Sequence, residues 1–357
     1  MIHRSCLFAR ESKFMSNSFV PSDFPGATHW RAESNRQSLS FMGYYRPDGR
    51  VGTRNYWLVI SLAPVDPEQM ALFQEACQTV LGYQCPNAYE QQLRNLREQY
   101  RAGSYFNTPA PQPVRSVPKP VFTNIDGIRF LPVYDDSAMA LEAVLDVLAG
   151  YCTHANVGGI TVLSGGATTD RVRALHQCIA KRDPAFSKPM LVVDRLTYRS
   201  DSDWLTAATY DTFRGMALLN KQTRRSAPLS RLVISTQQGK TNESLPNQVV
   251  DECVQFMASV GATVLLVDTN QSTDIHGVQL ISETRDEPGA LMPLTVLDST
   301  LQLTLPGLDL PLKNSLVPII TLSSDQEQTQ PGEPLLKYLL KLASGELRTP
   351  SERDGTV

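Results

Sequence analysis

Short apolar runs alternate with amphipathic stretches of ten to sixteen residues along most of this chain of 357 residues. The first run, YWLVISL at 56–62, is rich in aromatic and β-branched side chains and predicts a buried strand. Asp66 and Pro67 follow it and indicate a helix start, because aspartate caps helix N-termini and proline suits the first helical position. Alternation of this kind is typical of βαβ units with mainly parallel sheets. The sequence therefore predicts an α/β protein with two Rossmann-like α/β domains.

The same patterns predict the remaining elements. Further strands are expected at 127–134, 160–164, 190–193, 232–235, 262–267 and 316–322. Helices are expected at 67–81, 88–101, 137–148, 170–180, 204–219, 247–260 and 334–343. Pro132 lies inside the second predicted strand and favours an edge position or a bend, because proline cannot donate a hydrogen bond to a sheet.

The pattern also divides the chain into parts. In order, we predict a flexible N-terminal extension at 1–42, a first α/β domain at 43–228 with a proline-rich loop at 104–120, a second and shorter α/β domain at 229–346, and a polar tail at 347–357. Within the extension, a cleaved transit peptide and a start at Met15 are the alternatives.

Composition narrows the possible classes of function. Hydrophobic residues make up 41% and charged residues 19% of the chain, which is typical of a globular protein. The net charge of −3 gives no reason to expect nucleic acid or an anionic membrane as a partner, and no apolar run is long enough to span a membrane. The six cysteines are scattered without a CxxC pair, which is typical of reduced thiols. We therefore expect a cytoplasmic protein.

Three segments, in this order, resemble the altronate/galactarate dehydratase family. They are GYYRPDGRVGTRNYWLVI at 43–60, LAGYCTHANVGGITVLS at 148–164 and NKQTRRSAPLSRLVI at 220–234. The segment LASGE at 342–346 also matches, so the resemblance covers about residues 43–346 and is thin after 268. The most specific part is the DGRVGTRN segment, residues 48–55.

This resemblance implies a metal-dependent hydro-lyase, in which a divalent cation such as iron helps to remove a proton beside a sugar-acid carboxylate and to expel the β-hydroxyl. The chain departs from the family where such chemistry would be supplied. It has Val65, Ala167 and Gln238 in place of cysteines, Val133 and Ser137 in place of a His-and-Cys loop, and Thr321 in place of a lysine. Valine and alanine cannot bind a metal, and glutamine and serine are weak ligands. We therefore expect no cofactor and loss of the family's metal site.

Several polar residues that remain are candidates for binding or catalysis, because arginine can grip a carboxylate with two parallel hydrogen bonds. The candidate substrate-binding residues are Arg46, Asp48, Arg50, Arg54, Asn55, Asn156, Lys240 and Asn242. The alternative for the DGRVGTRN segment is a salt-bridged loop that fixes the first strand. His154 is a candidate for proton transfer, although a histidine without clustered partners is more often structural.

Three functions remain open from the sequence. The leading hypothesis is a pseudoenzyme that binds a sugar acid or regulates an active paralogue. The second is an active carbon–oxygen hydro-lyase that uses Arg46, Arg50, Arg54 and His154 with a relocated or absent metal. The third is a purely structural subunit. We expect a homo-oligomer or a complex with an active paralogue, and neither nucleic acid nor a membrane as a partner.

Overall fold

The structure is a computed structural model that describes residues 39–84, 88–103, 119–131, 141–165, 169–237, 254–268, 278–282, 299–304, 316–321, 333–349 and 352. All of these belong to one compact unit, residues 38–357. The strands are β1 (Ser40–Tyr45), β2 (Val51–Gly52), β3 (Tyr56–Ser61), β4 (Gly127–Leu131), β5 (Val157–Ser164), β6 (Met190–Asp194), β7 (Arg225–Pro228), β8 (Val233–Gln237), β9 (Thr263–Asp268), β10 (Val278–Ser282), β11 (Leu301–Thr304) and β12 (Ile319–Thr321). The α-helices are α1 (Pro67–Val80), α2 (Ala88–Arg101), α3 (Leu141–Thr153), α4 (Thr169–Arg182), α5 (Asp201–Leu219) and α6 (Glu333–Ala343), and residues 254–259 are also helical.

A four-stranded parallel sheet has the order β4-β3-β5-β6. Every residue of β3 and β5 is buried, which explains why their sequences are almost continuously apolar. The ring of Trp57 on β3 packs so closely on Gly159 of β5 that an added Cβ would lie 2.2 Å from it. Strand β4 is an edge strand among the described residues, whereas Pro132, from which an edge or a bend is predicted, lies outside them.

A five-stranded parallel sheet has the order β10-β9-β8-β11-β12. Helix α6 packs in its core through Leu335, Leu339 and Leu342. A small antiparallel sheet, in which β1 pairs with both β2 and β7, contributes Phe41 and Val51 to the same core. The predicted α/β fold with parallel sheets is therefore confirmed, whereas the predicted domain boundaries stay predictions.

The start of helix α1 follows the predicted local chemistry. The Asp66 carboxylate accepts a hydrogen bond from the backbone N–H of Glu68, Pro67 is the first helical residue, and Gly82 follows the helix with a φ of 78°. The predictions for residues 104–118, 132–140 and 247–253 lie outside the described residues. Within the described part of the chain, no helix is long and apolar enough to cross a membrane.

Candidate functional site

The DGRVGTRN segment lies beside residues 154–156, where β3 and β5 begin. The Asn156 Oδ1 atom accepts hydrogen bonds from the backbone N–H groups of Thr53 (2.9 Å) and Arg54 (3.2 Å). Its Nδ2 atom donates to the carbonyl oxygens of Thr300 (3.2 Å) and Leu316 (2.9 Å), which precede β11 and β12. Asn156 therefore joins the amino ends of the two parallel sheets, and we call this contact region the sheet junction (Thr53, Arg54, His154, Asn156, Ser299, Thr300, Leu316).

His154 lies in the sheet junction and has an exposed fraction of 0%. Its Nδ1 atom accepts a hydrogen bond from the backbone N–H of Asn156 (3.1 Å), so Nε2 carries the proton and donates to the Ser299 carbonyl oxygen (3.1 Å). Burial, together with the positive charge of Lys188, lowers the pKa of His154 to about 3. A neutral imidazole with both nitrogens engaged favours the structural alternative, and a catalytic role for His154 stays a prediction.

Arg54 forms a bidentate ion pair with Glu352, in which Nε lies 2.6 Å from Oε1 and Nη2 lies 2.9 Å from Oε2. Both side chains are buried, and Glu352 also accepts hydrogen bonds from the Tyr56 hydroxyl and the Thr349 backbone N–H. Burial alone would raise the pKa of Glu352, but the Arg54 charge outweighs it and lowers this pKa to about 2. The guanidinium predicted to grip a substrate carboxylate thus holds a carboxylate of the chain itself.

The other candidates in this segment also contact the protein. Arg46 is buried and donates hydrogen bonds to the Ala155 carbonyl oxygen (2.7 Å) and to Asn55 Oδ1 (3.1 Å). Its burial lowers its pKa to about 10. Arg50 donates from Nε to Asp48 (2.7 Å) and from Nη2 to the carbonyl oxygen of Thr153 (2.7 Å). These contacts favour the salt-bridged loop, and substrate binding by these residues stays a prediction.

One replaced family position, Val65, lies among the described residues at the opposite, carboxyl edge of the four-stranded sheet. Strands β4, β3 and β5 are neighbours and parallel, so their carboxyl ends meet at one edge. Val65 follows β3, and its half-buried side chain packs on the apolar cluster around Phe73. Positions 133, 137 and 167 follow β4 and β5 but lie outside the described residues. In open α/β sheets, ligands usually bind at the carboxyl edge, at the point where the strand order reverses. In this sheet, the order reverses between β3 and β5.

A surface cavity opens at the same edge and was not predicted from the sequence. It is lined by Ser164 and Asp194, the last residues of β5 and β6, by Val172, Arg173 and His176 of helix α4, and by Val192. Arg173 also pairs with Asp170 (3.3 Å), an exposed contact. The cavity therefore combines cationic or donor side chains with a hydroxyl and a carboxylate. Only the tertiary arrangement reveals it, because these residues are separated in the sequence and form no motif.

The five-stranded sheet has its own carboxyl edge. Its strand order reverses between β8 and β11. Gln238, Lys240 and Asn242 follow β8 but lie outside the described residues, whereas Thr321 ends β12 with an exposed side chain. The two replaced positions that the structure describes, Val65 and Thr321, thus lie on different sheets.

The described residues do not fit the divalent cation that the resemblance implies. Val65 and Thr321 supply no ligand of the expected kind, and no group of three or more His, Cys, Asp or Glu among the described residues could hold a metal ion. Burial raises the pKa of the Cys77 and Cys152 thiols to about 12, so neither thiolate is readily formed. Loss of the family's metal site as a whole stays a prediction.

The parallel sheets and the helices between their strands define an open α/β protein. Residues 43–214 match the protein family described as "D-galactarate dehydratase/Altronate hydrolase, second domain". This match, over just under half of the chain, confirms the resemblance that the sequence shows. The match covers the four-stranded sheet, and the five-stranded sheet lies beyond it. No curated protein matches the chain.

Proposed function

We propose that this protein binds a sugar acid on the dehydratase scaffold without catalysing the metal-dependent dehydration. The observation that carries the proposal is Val65, which lies after the central strand β3 and packs on the hydrophobic core. The resemblance places a cysteine at this position, and a valine can neither ligate a cation nor exchange a proton. The scaffold is thus kept while its chemistry is replaced.

The ligand site in this proposal is the cavity at the carboxyl ends of β5 and β6. Arg173 is suited to a carboxylate, and its present pair with Asp170 is exposed and therefore weak. Ser164 and Asp194 offer oxygen atoms to the hydroxyl groups of a sugar acid, and His176 provides a further ring nitrogen. Lys240 and Asn242, which follow β8 in the sequence, are the alternative contacts.

The test combines binding, metal content and turnover on the full chain purified without chelator. We expect galactarate or altronate to bind in calorimetry, with no stoichiometric metal by elemental analysis and no dehydration after iron or manganese is added. Arg173→Gln should weaken binding at least roughly tenfold, a loss of about 1.4 kcal/mol. The matched control is Arg182→Gln, on the same helix but outside the cavity, where Arg182 pairs with Asp146.

The other outcomes separate the alternatives. Stoichiometric metal together with dehydration would overturn the proposal in favour of an active hydro-lyase. Binding that is lost in Lys240→Gln but kept in Arg173→Gln would move the ligand to the five-stranded sheet. A protein that binds no sugar acid and forms a stable complex with an active paralogue would instead be a structural or regulatory subunit.

A further inference from the structure

A second and much smaller cavity lies at the amino end of strand β4, beside the end of helix α1. We call it the β4 cavity. It measures about 20 Å³, which is room for one water molecule or one small ion but not for a sugar acid. It shares no lining residue with the cavity at the carboxyl ends of β5 and β6, so its occupant is independent of sugar-acid binding. Its lining consists of Gln78, Tyr83 and Gln84, residues 126–129, and Arg348 and Glu352.

The Tyr83 hydroxyl is a buried donor without an acceptor. Helix α1 ends at Gly82, whose φ is 78°, and the backbone N–H of Tyr83 then donates to the Gln78 carbonyl oxygen (2.8 Å). The Tyr83 oxygen is buried and has no hydrogen-bond partner in the part of the chain that the structure describes. Burial raises the pKa of Tyr83, so the hydroxyl keeps its proton at neutral pH. Because an unsatisfied buried hydroxyl is costly, the β4 cavity needs an occupant that accepts this hydrogen bond.

The two carboxylates of the β4 cavity already hold other partners. Asp126 accepts hydrogen bonds from the Arg224 guanidinium (3.1 Å) and from the backbone N–H of Asn55 (2.7 Å). Glu352 forms its bidentate pair with Arg54. Neither Arg54 nor Arg224 lines the cavity. The negative charges in the cavity wall are thus balanced by arginines that lie outside it.

The charge of Arg348 is left over in this cavity. Its guanidinium forms no ion pair and no hydrogen bond among the residues that the structure describes. Its positive charge nevertheless acts on the Tyr83 hydroxyl, where it opposes the rise in pKa that burial causes. In a confined space of low polarity, such a charge favours an anion over a water molecule. We propose that the β4 cavity binds one chloride ion between the Tyr83 hydroxyl and the Arg348 guanidinium.

The size and the position of the site give the proposal its consequences. A cavity of about 20 Å³ admits a monatomic anion and excludes larger ones such as phosphate or sulfate. Tyr83 follows helix α1, whereas Arg348 follows helix α6, some 265 positions later. The bound ion therefore connects two distant segments of the chain at the edge of the four-stranded sheet, and it stabilises the folded state.

Melting temperatures of the full chain in chloride and in methanesulfonate, at equal concentration and pH, measure this site, because methanesulfonate is too large for the cavity. We expect chloride to raise the melting temperature by about 2 °C when it is in tenfold excess over its dissociation constant. Tyr83→Phe and Arg348→Gln should each abolish the difference between the two salts. The matched controls are Tyr198→Phe, whose ring packs on the same core cluster as Tyr83, and Arg199→Gln, at an exposed arginine. Both lie outside the cavity and should keep the difference.

Each variant is compared with itself in two salts, so a change in overall stability caused by the substitution cancels. A crystal grown in bromide should also show anomalous scattering in the β4 cavity, beside Tyr83 and Arg348. A water molecule in place of the ion predicts that Tyr83→Phe lowers stability equally in both salts. An empty cavity predicts that Tyr83→Phe is neutral or stabilising in both. Either result, or a chloride effect of the same size in the wild type and both cavity variants, would overturn the proposal.

Discussion

The two edges of the four-stranded sheet differ in how they use polar residues. The amino edge holds buried charged and polar groups, among them Arg46, Arg54, His154 and Asn156, whose hydrogen bonds run to other parts of the chain. The carboxyl edge carries the half-buried, apolar Val65 and an open cavity. The segment that most resembles the family thus lies at the edge opposite to the usual ligand position.

This difference gives the family-like segment at the amino edge a structural role. The backbone N–H groups of Thr53 and Arg54 in the DGRVGTRN segment donate to Asn156, and the Thr53 hydroxyl donates to the Thr300 carbonyl oxygen at the amino end of β11. Substitution there would leave buried donors and acceptors without partners, which is costly whatever the protein binds. Val65, at the carboxyl edge, has an apolar side chain and so carries no such side-chain hydrogen bond. The contacts of the amino-edge group are thus those of the fold, and a role of this group in binding stays a prediction.

The largest expected effect concerns the buried ion pair of the amino edge. Arg54→Met should lower the free energy of unfolding by about 3–5 kcal/mol, because it leaves the Glu352 carboxylate buried without its partner. Arg182→Met, which breaks the exposed pair with Asp146, is the control and should cost at most about 1 kcal/mol. Urea denaturation at neutral pH measures both.

The pH dependence provides a further check on this pair. The pKa of Glu352 is lowered from 4.5 to about 2, so its contribution is present above pH 4.5 and is lost as the pH falls towards 2. The difference between Arg54→Met and the wild type should shrink over that range. If Arg54→Met and Arg182→Met lowered the free energy of unfolding equally, the buried ion pair would contribute no more to stability than the exposed one.

The second effect concerns the link between the sheets. Asn156→Leu has a similar volume but removes the hydrogen bonds to Thr53, Arg54, Thr300 and Leu316. We expect a loss of about 2–3 kcal/mol in unfolding free energy, since several buried backbone groups lose a partner. Amide exchange at Thr53 and Arg54 should accelerate in parallel. Unchanged exchange at both amides would mean that Asn156 does not hold the junction together.

The third effect is a pH dependence that originates at His154. Its pKa in the folded protein is about 3, below its ordinary value of 6.5, so between these values the unfolded chain binds a proton that the folded chain does not. Stability therefore falls as the pH decreases from 6.5 towards 3, by at most about 1.4 kcal/mol per pH unit from this residue. In His154→Gln, the unfolded chain no longer binds this extra proton, so stability should fall less steeply with decreasing pH. A titration of the His154 imidazole near neutral pH, observed by magnetic resonance, would instead support a role in proton transfer.

The sequence predicted the fold better than the site, for physical reasons. Long patterns such as β3 with the Asp66-Pro67 helix start contain both periodicity and capping chemistry, and they were predicted within a residue or two. Strands β10 and β11 were missed because four or five residues carry too little periodicity. The short strands β1 and β7 were missed as well, since their pairing joins segments about 180 residues apart in the chain.

The candidate site shows the same limit more strongly. A sequence reveals that Arg54 can grip a carboxylate, but not that Glu352, nearly 300 positions later in a predicted polar tail, already occupies it. It also gives no sign that Ser164, Arg173 and Asp194 line one cavity. Charge and residue type are local properties, whereas pairing and burial depend on contacts between distant segments. For this reason, the sequence identifies the replaced positions more readily than the residues that are free to contact a ligand.

The smallest expected effect tests the tolerance of the carboxyl edge. Val65→Cys nearly conserves volume at a half-buried position, so the unfolding free energy should change by less than about 1 kcal/mol. Val59→Cys is the matched control, because Val59 lies on β3 itself with 1% exposure and its γ-methyl groups pack on all sides. The new thiol at position 65 should add one reactive group to the wild-type count. A cost as large as that at Val59 would mean that this edge is packed as strictly as the core, and its apolar residue would then reflect folding rather than a change in chemistry.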